Sequence, residues 1–171
     1  MQEPVRPAVG LRRATADDLA FVMATERQPE HESFIGRWSA ERHAAAMASA
    51  DFAYLVAVAD GRPEGFAILR DLTEPHGNVG LQRIAMVRPG GGLGRAFLAG
   101  LLDWVFVETA CHRLCLEVFT ANARARHVYA SLGFVEEGIL REVVRRADGT
   151  RADQALMSIL RPEWRARRSP G

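Results

Sequence analysis

Met86-Val-Arg-Pro-Gly-Gly-Gly-Leu-Gly-Arg95 is the stretch that decides the fold. Before it, Leu81 to Val87 is apolar and reads as a strand. After it, Leu93, Phe97, Leu98, Leu101, Leu102, Val105 and Phe106 recur with a 3.6-residue period and read as a helix. A glycine run therefore joins a strand to a helix N-terminus. Glycines let backbone N–H groups turn towards one point without interference from a Cβ, and the first N–H groups of a helix have no partner within it. Together they suit a phosphate or pyrophosphate. Such a loop is equally compatible with a plain flexible turn, so its neighbours must decide. A P-loop requires a Lys after the last Gly, and the chain has no Lys. A dinucleotide fingerprint sits near the start of a βαβ repeat, with an acidic residue about twenty positions on at a strand end; here the loop is in mid-chain.

The next apolar run, Arg113 to Phe119, reads as a strand and carries Glu117. It leads into Asn122-Ala-Arg-Ala-Arg-His-Val-Tyr129-Ala-Ser-Leu-Gly-Phe134. The order of features resembles the GNAT superfamily of N-acetyltransferases: a glycine loop opening a helix, Asn122 at the following strand–helix junction, Tyr129, and the Leu132-Gly133-Phe134 exit. The resemblance runs from about Leu11 to Leu160. Within the superfamily the chain is most similar to bacterial ribosomal-protein and amino-acid N-acetyltransferases.

The resemblance implies an α/β fold: a mixed, mostly antiparallel sheet of about seven strands, helices on both faces, splayed between the fourth and fifth strands. It implies acetyl-CoA as cosubstrate. The pyrophosphate is expected on Gly90, Gly91, Gly92, Gly94 and Arg95, and pantetheine in the gap beside the backbones of Ala85, Met86 and Val87. Asn122 is expected to touch the pantetheine arm as well as to cap the helix after it. Pro89 stands where the family has Gln or Arg.

Acyl transfer to an amine requires alignment of thioester and amine, a deprotonated amine, and a proton or other stabilisation for the departing thiolate. By resemblance Glu117 is the base and Tyr129 the acid. The residues themselves admit other roles. An acidic side chain in an apolar strand needs a partner or a task, and Arg83, Arg124 or Arg126 would serve as a partner. Tyr129 shares a helix face with Ala125 and Leu132 and is also a candidate core aromatic. His76, His112 and His127 are reserve bases. The acceptor amine is expected between the first helices, Asp17 to Ser49, and the hairpin near Asp148, with Glu30, His31, Glu32, Phe34 and Trp38 nearby. A cationic amine with an apolar portion suits that mixture. A non-catalytic acyl-CoA-binding module and a purely structural domain are the competing classes.

Length and composition agree with one domain spanning 1–171, with a core of 11–160, a leader of 1–10 and a basic tail from 161, in which Arg165, Arg167 and Arg168 around Trp164 read as solvated, with contact to an acidic partner as the alternative. A net charge of +1 gives no electrostatic footprint for nucleic acid. Cys111 and Cys115 flank His112, yet four ligands are wanted for structural zinc and no second cluster follows, so no metal is expected. No signal-like or membrane-spanning run is present, which points to a cytoplasmic protein acting on a small-molecule or peptide amine. A homodimer is compatible with this reading. The remaining pattern predicts strands at 11–14, 52–59, 65–72, 79–87, 134–145 and 151–160, helices from Thr15, from Ser39 to near Ser49, and over Asn122–Leu132, and polar irregular chain over Gln28–Trp38, which contains Pro29 and Gly36.

Overall fold

The computed structural model describes residues 9–168; most of the leader and the last three residues of the tail lie outside that range. Seven strands form one sheet: β1 (Gly10–Arg13), β2 (Ala53–Ala59), β3 (Arg62–Arg70), β4 (Asn78–Met86), β5 (Arg113–Phe119), β6 (Val135–Arg145) and β7 (Arg151–Leu160). Their order is β1-β2-β3-β4-β5-β7-β6, antiparallel throughout except for the β4–β5 pair. Five helices accompany it: α1 (Leu19–Glu26), α2 (Ala40–Ala48), α3 (Leu93–Glu108), α4 (Ala123–Ser131) and α5 (Arg161–Arg168). Among the described residues no helix is long and apolar enough to cross a membrane.

Each face of the sheet has its own core. Leu55, Leu69, Leu81, Leu114, Leu116 and Val118 pack with Phe97, Leu98, Leu101 and Val105 of α3, and α4 adds Ala125, Val128 and Tyr129. On the opposite face Tyr54, Phe66, Ile68 and Ala85 meet Val22 of α1, Ala46 of α2 and Trp38. The period-2 alternation of strands sends neighbouring residues to these two cores.

Local chemistry explains most boundaries. Asp60 (φ 50°) and Gly61 (φ 73°) make the β2–β3 turn, a left-handed pair suited to a two-residue hairpin. β3 therefore starts at Arg62, earlier than the expected Gly65. Ser39 Oγ accepts from the Arg42 N–H at 3.3 Å and caps α2. The helix expected from Thr15 begins as a 3-10 turn, Ala16–Asp18, before α1. Between the first two helices Pro29–His31 adds a short 3-10 turn where irregular chain was expected.

The basic tail is the clearest departure from expectation. Arg161–Arg168 is a docked helix, and Trp164 packs on Phe106 at 5.3 Å and donates from Nε1 to Asp103 at 2.9 Å. Arg161 donates to the carbonyls of Phe106, Thr109 and Cys111, covering the C-terminal end of α3. Cations at that end are favoured by the helix dipole and by carbonyls with no partner of their own.

Candidate active site

The β4–β5 ladder ends almost as soon as it begins. Asn78, Val79 and Gly80 pair with Arg113, Leu114 and Cys115, and no pairing continues beyond them. The strands then part, and the cleft between them is lined from Leu81 to Met86 on one side and from Leu116 to Phe119 on the other. Its volume is about 880 Å³. This is the gap expected near Ala85–Val87 and Glu117–Phe119.

The backbone along β4 is more selective than expected. Val87 N–H donates to the Glu64 carbonyl at 2.8 Å, and Val87 does not line the cleft. The Ala85 carbonyl also turns towards β3, lying 2.7 Å from where a Cβ on Gly65 would stand. Backbone groups alternate between neighbours along a strand, so Ile84 and Met86 present theirs to the gap. Of the three backbones proposed for pantetheine, Met86 remains in that position, Ile84 joins it, and those of Ala85 and Val87 are committed to β3. His31 Nε2 lies 2.9 Å from the Met86 carbonyl, a contact that requires a hydrogen on Nε2.

The glycine loop has the geometry of an anion cradle. Gly90, Gly91 and Gly92 have φ of 116°, 63° and 80°, and Gly92 is the N-cap of α3 with no side chain to satisfy its first N–H groups. Such dihedrals favour glycine. A Cβ on Gly91 or Gly92 would meet nothing within 4 Å, so the loop faces open space. Arg95 lines the cleft and donates from Nε to Ser131 Oγ at 3.3 Å. Arg124 is a second cation at this mouth, its Nη2 3.9 Å from the position of a Cβ on Gly90. Sequence reading considered Arg124 only as a partner for Glu117, and nothing but its place two residues after Asn122 hinted otherwise.

Asn122 Oδ1 accepts from the Ala125 N–H at 3.2 Å, so the N-cap role holds, and Asn122 also lines the cleft. At the far end of α4, Phe134 N–H donates to the Tyr129 carbonyl at 3.1 Å and Gly133 N–H to that of Ala130 at 3.0 Å. With Gly133 at φ 103°, this is a Schellman motif. Its accompanying apolar contact is the Tyr129–Phe134 pair, with centroids 5.6 Å apart at 60°. The Leu132-Gly133-Phe134 exit thus orients the Tyr129 ring. Tyr129 lines the cleft, and its hydroxyl has no hydrogen-bond partner among the described residues. Loss of hydration pushes its phenol up to about 12, so it keeps its proton.

Glu117 reaches the cleft from the other face of the sheet. Leu114, Leu116 and Val118 point to the α3 side. By alternation Cys115, Glu117 and Phe119 point to the α1–α2 side, where Phe119 meets Phe34 with centroids 6.1 Å apart. Glu117 is exposed to the cleft and forms no ion pair among the described residues. Of the cations proposed as its partners, Arg83 binds Glu26 at 3.0 Å, Arg126 binds Glu136 at 2.6 Å, and Arg124 lies beside Gly90 without an ion pair to Glu117 among the described residues. Glu30, His31 and Phe34 also line this end, as expected; Trp38 is buried behind it, and Glu32 does not line it. Of the reserve bases, His76, His112 and His127 all lie outside the lining. Cys111 is buried, and burial pushes its thiol up to about 11.

Comparison with known proteins agrees with this geometry. The acetyltransferase (GNAT) domain profile matches residues 8–135. A spermidine N(1)-acetyltransferase of Vibrio cholerae is 39% identical over 59 residues, 34% of each chain, so the match spans about a third of that relative's length. A crystal structure of Vibrio cholerae spermidine N-acetyltransferase with CoA and spermine superposes with a TM-score of 0.80 at 23% identity, covering 91% of this chain and 97% of that one. The ribosomal-protein-S18-alanine N-acetyltransferase of Escherichia coli superposes with a TM-score of 0.73 at 26% identity, covering 90% and 94%. With a profile over most of its length, a sheet that parts at β4–β5 and a glycine cradle at the head of α3, this chain belongs to the GNAT acetyltransferase family.

Proposed function

We propose that this protein transfers the acetyl group of acetyl-CoA to a primary amine by direct attack. One observation carries the reading: Glu117 and Tyr129 border the same gap from opposite faces of the sheet. On the α3–α4 face the cradle of Gly90, Gly91, Gly92 and Gly94, with Arg95 and Arg124, takes the diphosphate. The pantetheine arm runs through the gap beside Ile84, Met86 and Asn122, its amides pairing with the Ile84 backbone and the Met86 N–H as another strand would, while the Met86 carbonyl stays with His31. The thioester then lies where the two faces communicate.

The acceptor enters from the α1–α2 face. Glu117 removes the proton from its ammonium, directly or through one water, because only the free amine has a lone pair for attack. The nitrogen attacks the thioester carbon, the carbon–sulfur bond breaks, Tyr129 protonates the departing thiolate, and the second proton lost by the nitrogen passes through solvent to restore the Tyr129 phenol. A phenol held near 12 is protonated at neutral pH, so a proton is in place at Tyr129 when the thiolate forms.

An acetyl-CoA thiol-release assay against simple amines, amino acids, peptide N-termini and spermidine tests the proposal. Thiol release that depends on an added amine and is lost in Glu117→Gln supports it. Tight acetyl-CoA binding with no release from any acceptor would instead favour a non-catalytic acyl-CoA-binding module.

A further inference from the structure

Arg83 is a charged residue inside an apolar strand, and the proposed mechanism gives it no role. Its side chain is only 6% exposed, yet Arg83 lines the acceptor end of the cleft. It lies on the α1–α2 face, where its guanidinium stacks on Trp38 at 4.4 Å. Nη1 donates to Glu26 Oε2 at 3.0 Å. Nη2 and Nε have no protein partner among the described residues. Burial lowers the affinity of this guanidinium for its proton, and Glu26 opposes that shift; an arginine stays charged regardless.

The surroundings do not neutralise it. Fully buried Glu26 is shared: Oε1 lies 3.2 Å from Arg27 Nη1 and 3.2 Å from His43 Nε2, and it accepts from the Trp38 N–H at 3.3 Å. One carboxylate between two guanidinium groups leaves an excess of one positive charge. Gly36 keeps that charge reachable. It lines the cleft, and a Cβ there would stand 3.1 Å from Arg83 Nη2. A nearly buried guanidinium with donors to spare is costly unless an acceptor arrives. Across the gap, on the same face, Glu117 offers the opposite charge.

We propose that the acceptor carries a carboxylate as well as its amine, and that Arg83 binds this carboxylate while Glu117 faces the amine. The inference rests on the transferase reading and narrows its substrate class to amino acids or short peptides with a free acid group. A two-point clamp of this kind orients the amine relative to the thioester. It also selects against polyamines, whose second cation would meet Arg83.

The test compares acids with their amides, using acetyl-CoA thiol release. Glycine, 4-aminobutanoate, leucine, phenylalanine and Gly-Asp are each paired with the corresponding carboxamide, and spermidine is added. At least one acid should exceed its amide and spermidine in kcat/KM by about tenfold or more, the scale of one charged hydrogen bond. In Arg83→Gln that ratio should fall to about threefold or less. Because Arg83→Gln leaves Glu26 with fewer partners, Gly36→Ala serves as a second variant: its Cβ, 3.1 Å from Nη2, covers that donor while asking the guanidinium to give only slightly, and it should reduce the same ratio. Amides that equal their acids, spermidine as the best acceptor, or a preference that survives both variants would overturn the inference while leaving acetyl transfer standing. No release from any acceptor would overturn the transferase reading, and this inference with it.

Discussion

Replacing Tyr129 with Phe separates catalysis from packing. The ring would keep its edge contact with Phe134, 5.6 Å between centroids, and the Schellman turn that orients it. Only the hydroxyl is lost, and it has no protein partner among the described residues. Removing a partly buried hydroxyl without a hydrogen bond costs little stability, so the melting temperature should stay within about 1–2 °C of wild type. General acid catalysis is worth about 10²-fold or more, so kcat should fall by roughly 10², which is about 2.7 kcal/mol of transition-state stabilisation. Acetyl-CoA affinity should remain near wild type by calorimetry. Since the phenol sits near 12, the wild-type rate should show no descending limb from this group below about pH 11. The assay is thiol release at saturating acceptor, run beside a thermal melt. Full turnover in a folded Tyr129→Phe protein would refute the assignment; the thiolate would then leave unprotonated and Tyr129 would be a packing residue.

Glu117→Gln should lower kcat by about 10²-fold. Its melting curve should not move, because Glu117 forms no ion pair among the described residues; a large loss of stability with intact turnover would return it to a structural role. Gly92→Asp places a Cβ and a negative charge in the cradle at φ 80°, and calorimetry should show acetyl-CoA binding weakened at least tenfold, about 1.4 kcal/mol. Asp18 is held down to about 2, chiefly by its hydrogen bonds to Arg12 at 2.7 and 2.8 Å. Its folded value lies below its unfolded one, so its contribution is complete above about pH 4 and drains away as pH falls through 2. With the Arg12 side chain 43% exposed, screening limits this to roughly 1 kcal/mol. Urea titrations between pH 5 and 2 should show a smaller loss in Asp18→Asn than in wild type.

Local chemistry made much of the fold legible. The glycine run between an apolar strand and a 3.6-period helix located β4, α3 and the cradle. Asn122 capped its helix as its position indicated, and Asp60-Gly61 turned the first hairpin. Residues with long-range partners were harder to read. Arg83 and Glu26 are 57 positions apart, and neither reveals the other in a linear sequence. The docking of α5 depends on Trp164 meeting Phe106 and Asp103, which no local pattern encodes; the arginines alone suggested a solvated tail. Backbone direction along β4 was also hidden. The register with β3, which contains a bulge between Ile68 and Leu69, determines that Met86 and Ile84, rather than Ala85 and Val87, face the gap.

Glu117 and Tyr129 reach the gap from opposite sides of one sheet, and this has a consequence for the order of events. In the proposed arrangement the two reactants approach from opposite faces, so neither must vacate the site before the other arrives. Both can be resident together, and no protein nucleophile has to carry the acetyl group between visits. Steady-state rates should therefore give intersecting double-reciprocal lines, the signature of a ternary complex, rather than the parallel lines of a shuttle.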